Sequence, residues 1–374
     1  MSHPNWISEI AVRRAFEPLE HPAVWRGAEL LDRSDFLHEL SGPERQQVRA
    51  GRLGDAFRER LLGLRESLEH GSGCGLVRGL DISGLSELEA GELVLAIGRQ
   101  LGTPVGQAAD GSLLFSVRDA GYAADDPRSR GPNTSRKLSF HSDRCDVIGF
   151  LCLRQARTGG ESLIASSMAI YNEIGRTRPD LLQVLQTPFY YKRHTVDPGN
   201  PNPFCRQPVF SFTEGFFASS LLRVLIDRAY ADPATPEMTD EQREALDLVE
   251  TLADDPAFHV RFMQEPGDIL LLNNWVTLHR RTAFEDHPEP DRRRHLLRLW
   301  LAMPNSRPID PLFRDNYGAT EAGAVRGGMR STPGATPAPG PRSTSNVASG
   351  PPPCPAPPSL LSPAVHGSRN SRFP

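Results

Sequence analysis

His141 and Asp143 stand two residues apart in His141-Ser142-Asp143, and a β-strand turns residues i and i+2 to the same face. Residues 138–143 read as the end of a strand, so the imidazole and the carboxylate converge on one point. A third ligand from elsewhere would complete two histidines and one carboxylate on a single face of a metal. That arrangement leaves coordination positions open, as in non-haem Fe(II) oxygenases. A His-x-Asp triplet alone also arises in solvated loops, so it needs supporting residues. Downstream, Glu265-Pro266-Gly267-Asp268 reads as a turn, Ile269-Leu270-Leu271-Leu272 as a buried strand, and the run from Asn273 to His279 follows. Beyond an acidic loop comes a strand over 294–301. Its alternation puts Arg294, Leu296 and Arg298 on one face and His295, Leu297 and Leu299 on the other. Arginines among apolar neighbours are costly to bury unless anions meet them, and a guanidinium matches a carboxylate two-pronged. The chemistry suggested is a carboxylate guest; a charged edge strand paired with Asp or Glu elsewhere is the other reading.

Four segments together carry a resemblance: His141-Ser142-Asp143, then Gly159-Gly160-Glu161-Ser162, then Pro266-Gly267-Asp268 running into Leu278-His279, then Arg294-x-x-x-Arg298. In kind and order they resemble the motifs of the taurine dioxygenase (TauD/TfdA) family of Fe(II)- and 2-oxoglutarate-dependent oxygenases. The similarity spans roughly residues 73–307. The resemblance implies that His141, Asp143 and His279 hold the iron. It implies that the Ser162 hydroxyl bonds the distal carboxylate of 2-oxoglutarate and that Arg294 pairs with the same carboxylate. Arg298 corresponds to an arginine that faces the substrate's anionic group in taurine dioxygenase and helps fix the co-substrate in relatives, so both roles stay open. Arg292 and Arg293 read as solvated, although a one-residue change of register would bring Arg293 inward. The implied reaction consumes O2 and 2-oxoglutarate, releases succinate and CO2, and oxidises a substrate C–H bond. Halogenating relatives lack the carboxylate at the metal. The intact Asp143 therefore points to hydroxylation first, or to desaturation, ring formation or oxidative cleavage.

The elements that must position these residues are readable in outline. Pro43 opens a helix with a loose stripe of Val48, Leu53, Phe57, Leu61, Leu64 and Leu68, stopped by Gly71 and Gly73. A short strand follows over 74–78. Ser86 with Glu89 forms a capping box for a helix through about Leu101, and Thr239 with Gln242 another for a helix carrying Ala245, Leu246, Val249 and Leu252. Strand-like runs fill 112–165, with 145–153 the most apolar, and return from Phe258 to Met303. The expected fold is mainly β with helical supports around a double-stranded β-helix, a jelly-roll, cupin-like core. The expected organisation is a helical N-terminal support over 1–72, a catalytic domain over 73–325 with a helical insert near 237–256, and a disordered tail over 326–374. That tail is Ser-, Pro- and Gly-rich and has no acidic residue after Glu321, so it cannot bury enough apolar surface to offset chain entropy.

A net charge of −4 and the lack of a basic stripe with interleaved aromatics argue against a nucleic-acid partner. No run approaches membrane-spanning length and the N-terminus has no apolar signal core, so neither a membrane nor export is expected. Five cysteines, odd in number and without a C-x-x-C pair, suit free thiols in a reducing cytoplasm. His194 follows a polar stretch that could line a substrate mouth but reads first as solvated; His259, His287 and His295 read as structural. Arg136, Lys137 and Arg144 flank the triplet and would meet an anionic substrate or lie on its rim. With Arg298 they suggest a small acidic or zwitterionic substrate, while a homo-oligomer stays open. Two other classes use the same residues: a zinc hydrolase, which has no use for Ser162 and Arg294 together, and a silent scaffold, which would not need an intact triad.

Overall fold

The stripe that opens at Pro43 predicts one helix, but the chain makes two, α1 (Gly42–Arg49) and α2 (Asp55–His70). Gly51, at φ +72°, takes the left-handed conformation that ends the first, and Gly54 stands at the N-cap of the second. The stripe is still used: Val48, Phe57, Leu61, Leu64 and Leu68 are buried, and Leu53 packs partly against them. The computed structural model describes residues 16–108, 110–122, 131–193 and 202–329. The first 15 residues, His194 and the Pro-rich stretch from Arg330 lie outside these, and so do the expectations placed on them.

Both capping boxes form as read, opening α3 (Glu87–Leu101) at Ser86 and a later helix at Thr239. Between them lie α4 (Ser167–Thr177), α5 (Pro179–Leu185) and α6 (Arg223–Tyr230), which the sequence reading does not place. The Thr239-capped helix is α7 (Asp240–Asp254), and a short α8 (Arg314–Tyr317) follows the last strand.

The strands begin with β1 (Leu37–Glu39), β2 (Cys74–Arg78), β3 (Thr103–Pro104), β4 (Leu114–Val117) and β5 (Val147–Arg154). Next come β6 (Thr158–Gly159), β7 (Ser162–Ser166), β8 (Phe189–Lys192), β9 (Phe204–Gln207), β10 (Phe210–Thr213) and β11 (Phe216–Ser219). The last are β12 (His259–Phe262), β13 (Ile269–Asn273), β14 (Thr277–Arg281), β15 (Phe284–Glu285) and β16 (His295–Ala302). One sheet runs β1-β2-β13-β5-β16-β3, with β4 also paired to β16; a smaller one runs β12-β7-β14.

Alternation sorts the large sheet's two faces. Val77, Leu151, Ile269, Leu271, Leu297, Leu299 and Leu301 pack with α2 and α3. Leu76, Ile148, Leu270, Leu272 and Trp300 pack with Ile164 and Val260 of the small sheet. The small sheet's other face, with Leu163, Ala165 and Leu278, meets α4, α5 and α7. Each fully buried leucine contributes about 2 kcal/mol, so helix, sheet, sheet and helix are held as successive layers by apolar burial. Cys74, Cys145, Cys152 and Cys205 are buried free thiols within this body. No helix among the described residues is long and apolar enough to cross a membrane.

Candidate metal centre and its cavity

His141-Ser142-Asp143 is not the end of a ladder. Residue 141 makes a single antiparallel bridge, in which the His141 N–H donates to the His279 carbonyl (3.0 Å) and the His279 N–H to the His141 carbonyl (2.9 Å). The rest of the triplet is held from distant places. Ser142 N–H donates to the Leu221 carbonyl (2.8 Å), and Leu221 N–H donates back to the Ser142 hydroxyl (3.0 Å). Asp143 N–H donates to Asn274 Oδ1 (2.9 Å), whose amide nitrogen donates in turn to the Cys145 carbonyl. One bridge to β14 at His141 and side-chain and loop bonds at Ser142 and Asp143, not a continuous ladder, hold the triplet.

The outcome is the convergence that alternation suggests. One ligand atom each from His141, Asp143 and His279 lies within 4.8 Å of the others, a set that could hold a metal ion. His141 Nδ1–H donates to the Ser139 carbonyl (2.9 Å), which leaves Nε2 as the free lone pair. Burial, and then neighbouring His141, push the His279 imidazole down to about 3 against the pull of Asp143, so it stays neutral and able to ligate. Burial raises the Asp143 carboxyl, but Arg298 and then the two imidazoles outweigh it and hold it below the usual range. His279 Nδ1 is buried without a hydrogen-bond partner. The other ring nitrogen, Nε2, faces Asp143 Oδ2 at 3.9 Å, on the side where a shared metal would sit.

A cavity of about 840 Å³ opens over the triad, and Ser162, Arg294 and Arg298 all line it. Register explains Ser162: on β7 it lies opposite Arg281 of β14, and Ile164 lies opposite His279. Its hydroxyl donates to Gln264 Oε1 (3.2 Å). Arg294 is buried beside the Phe284 ring (5.1 Å from its centroid), and its Nη1 has no partner. Burial pushes its guanidinium down to about 10, with Cys152 and Asp286 resisting. Gly160, at φ +81°, leaves the room that this side chain occupies: a Cβ there would stand 2.9 Å from Arg294 Nε.

Arg298 is already engaged. Its Nη1 donates to Asp143 Oδ2 (3.2 Å) and its Nε to Gln107 Oε1 (2.7 Å), between the rings of Phe115 and Trp300. Arg292 and Arg293 are exposed, as read. His295 lies on the face away from the cavity, fully buried near Arg154 and Glu87, and His259 bonds the Ala253 carbonyl. Of the flanking cations, Arg144 and Lys137 line the cavity, although Lys137 also pairs with Asp254 at 2.8 Å.

Four participants escape the sequence reading: Gln107, Gln264, Asn274 and Arg281. Arg281 was within reach, because it lies two residues beyond His279 on one strand and so shares its face. It is buried, lines the cavity, and donates to the carbonyls of Thr134, Arg136 and Thr282. Gln107 and Gln264 sit in unremarkable local sequence and act only through folding.

The profile of the family described as taurine catabolism dioxygenase TauD, TfdA family matches residues 42–300, well over half of the chain. FR-33289 synthase of Streptomyces rubellomurinus is 36% identical over 320 residues, covering 78% of this chain and 92% of the relative. Among solved structures, asparagine oxygenase in complex with Fe(II), 2S,3S-3-hydroxyasparagine and succinate aligns with a TM-score of 0.56. That match has 21% identity and covers 71% of this chain and 93% of the other. The non-heme iron oxygenase OrfP, in complex with Fe and alpha-ketoglutaric acid, aligns with a TM-score of 0.54 at 16% identity, over 71% and 93%. At such identities the structural likeness is one of fold. With the family match, the near full-length relative and a His-Asp-His triad in place, the chain belongs to the TauD/TfdA family and is a dioxygenase that uses Fe(II), 2-oxoglutarate and O2.

Proposed function

We propose that His141, Asp143 and His279 hold the iron, that Ser162 and Arg294 bind the distal carboxylate of 2-oxoglutarate, and that the enzyme hydroxylates a C–H bond of a small acidic or zwitterionic molecule. The observation that carries this reading is Arg294, a buried guanidinium with an unpartnered N–H lining the same cavity as the triad. A carboxylate guest would satisfy it two-pronged. Bound iron and co-substrate supply O2 activation and oxidative decarboxylation, with release of succinate and CO2.

The chain's own residues position and shield. Ser162 turns its hydroxyl from Gln264 to the guest carboxylate, and Arg294 neutralises the charge. Arg298 keeps the Asp143 carboxylate ionised and aimed, with Gln107 fixing the guanidinium; its partner is then the metal's ligand, a third role beside the two the resemblance left open. Apolar walls of Phe150, Leu270 and Leu272 help exclude water. The acidic or zwitterionic substrate is supported by the cationic side chains on the lining, Arg144 and Arg193 among them, and by asparagine oxygenase, whose structure holds a hydroxylated amino acid. The same proposal reads the two facing sheets as a double-stranded β-helix that begins near residue 73, with a helical support before it; the expected start of the tail at 326 is too early, because Arg326 is fully buried on Asp146 and the backbone of 327–329 bonds back onto the fold. The proposal also places the protein, with its free thiols, in a reducing cytoplasm.

Anaerobic addition of Fe(II) and 2-oxoglutarate should give a weak visible charge-transfer band, and air should then give succinate. If reconstituted protein shows neither, the proposal is wrong. Gly160→Ala should raise the half-saturation for 2-oxoglutarate in the same titration about 10-fold, since a left-handed Cβ costs about 1–3 kcal/mol and crowds Arg294. An unchanged value would remove Arg294 from the co-substrate site.

A further inference from the structure

Residues 318–329 lie beyond the 42–300 span of the family match, yet they fold back onto the metal-bearing segment. Arg326 is the anchor. Its side chain is fully buried, its Nε donates to Asp146 Oδ1 (2.6 Å), and its Nη2 donates to the Arg307 carbonyl (2.7 Å). Asp146 is three residues past Asp143 and also accepts from Trp275 Nε1 (2.8 Å) and Met303 N–H (2.9 Å), so both charges are answered inside the fold.

From that anchor the backbone runs directly along the site. Gly328 N–H donates to the Arg144 carbonyl (2.8 Å), and Met329 N–H donates to the Gly106 carbonyl (2.7 Å). Only glycine allows this approach. Gly327 and Gly328 have φ of +74° and +66°; a Cβ would lie 2.5 Å from the Arg144 carbonyl oxygen at the first and 2.8 Å from Val105 Cβ at the second. Gly106 precedes Gln107, the residue that holds Arg298 against Asp143. Met329, half-buried, then joins Gln107, Arg144 and Tyr317 in lining the cavity.

We infer that residues 326–329 form a strap that completes the substrate side of the cavity, with Met329 as a specificity-determining residue that packs on the carbon skeleton of the primary substrate beside the Arg144 charge. A thioether on an unbranched side chain adapts to an irregular apolar surface, and a neighbouring guanidinium suits the acidic end of the same molecule. The inference rests on the proposed function of the site, and the test separates the two.

Full-length wild type, Met329→Ala and Met329→Trp are loaded with Fe(II). Each is titrated anaerobically with 2-oxoglutarate, then screened in air for succinate release stimulated by small amino acids, dicarboxylates, sulfonates and phosphate monoesters. The variants should match wild type in the charge-transfer titration within about two-fold. Their KM for stimulating compounds should change at least about 10-fold, with altered order of preference: alanine favouring bulkier compounds and tryptophan excluding them. Wild-type KM values and preference in both variants, with the band intact, overturn the strap alone. Loss of the band in the variants places Met329 in the co-substrate site and overturns its substrate role. If wild type gives no band, or no compound stimulates it, the underlying reading falls and the strap's role falls with it.

Discussion

Replacing His279 with alanine should abolish iron-dependent succinate release, a fall on the order of 1,000-fold or more, because two ligands no longer define the open face that the metal needs. The effect is large because the site has a competitor for the metal. Arg298 Nη1 lies 3.2 Å from Asp143 Oδ2, and unit charges at that distance attract by about 5 kcal/mol at an effective dielectric of about 20. Three converging ligands can draw the carboxylate away from this partner; with His279 gone, Asp143 keeps Arg298. Iron content after gel filtration and succinate yield measure the outcome. His295→Ala is the control, since His295 is also buried but on the face away from the cavity, and it should retain iron. Wild-type iron content in the His279 variant would show the assignment to be wrong.

Arg294→Met should separate stability from function. Burial holds the guanidinium down at about 10, so the fold disfavours its charge by about 3 kcal/mol. The sign follows from the charge state. Below pH 10 the residue is charged in both folded and unfolded chains, so the cost is fully present at neutral pH; it is relieved only as pH rises through 10 toward the unfolded value. Methionine removes the buried charge and keeps most of the volume, so the co-substrate-free variant should unfold at or above the wild-type temperature. Its affinity for 2-oxoglutarate should fall on the order of 100-fold, because truncating one partner of a buried charge pair costs about 2–5 kcal/mol. Thermal unfolding with and without 2-oxoglutarate, beside the charge-transfer titration, reads both. Normal co-substrate affinity would contradict the role given to Arg294.

Local chemistry carried much of this molecule into view from sequence. Ser86 with Glu89 and Thr239 with Gln242 announce their helices because a capping box is satisfied within four residues. Alternation along 294–301 separates Arg294 and Arg298 from His295 because the pleat is local too. The break between α1 and α2 was also legible, in Gly51 and Gly54, but the apolar stripe continues across it and hides it. His141-Ser142-Asp143 misleads in another way: its residues look like a strand, yet their partners are Leu221, Asn274 and His279. Gln107 reaches Arg298 across 191 residues, a relation that no local pattern records. Patterns local to one segment could be read from their own residues; the triad, divided between 141–143 and 279, came into view only through the family resemblance, and the Gln107–Arg298 contact not at all.

The four buried thiols have a consequence for an enzyme that handles O2. Sulfur is attacked as thiolate, and burial pushes Cys152 and Cys205 up to about 12 and Cys74 and Cys145 well above the ordinary thiol range. At neutral pH almost none of the reactive form exists, and solvent-borne oxidants cannot reach it. Cys145 lies only two residues from Asp143 of the triad and Cys152 near the guanidinium of Arg294. The packing that builds the walls of the site thus also keeps these four sulfurs protonated and away from oxidants arriving through solvent.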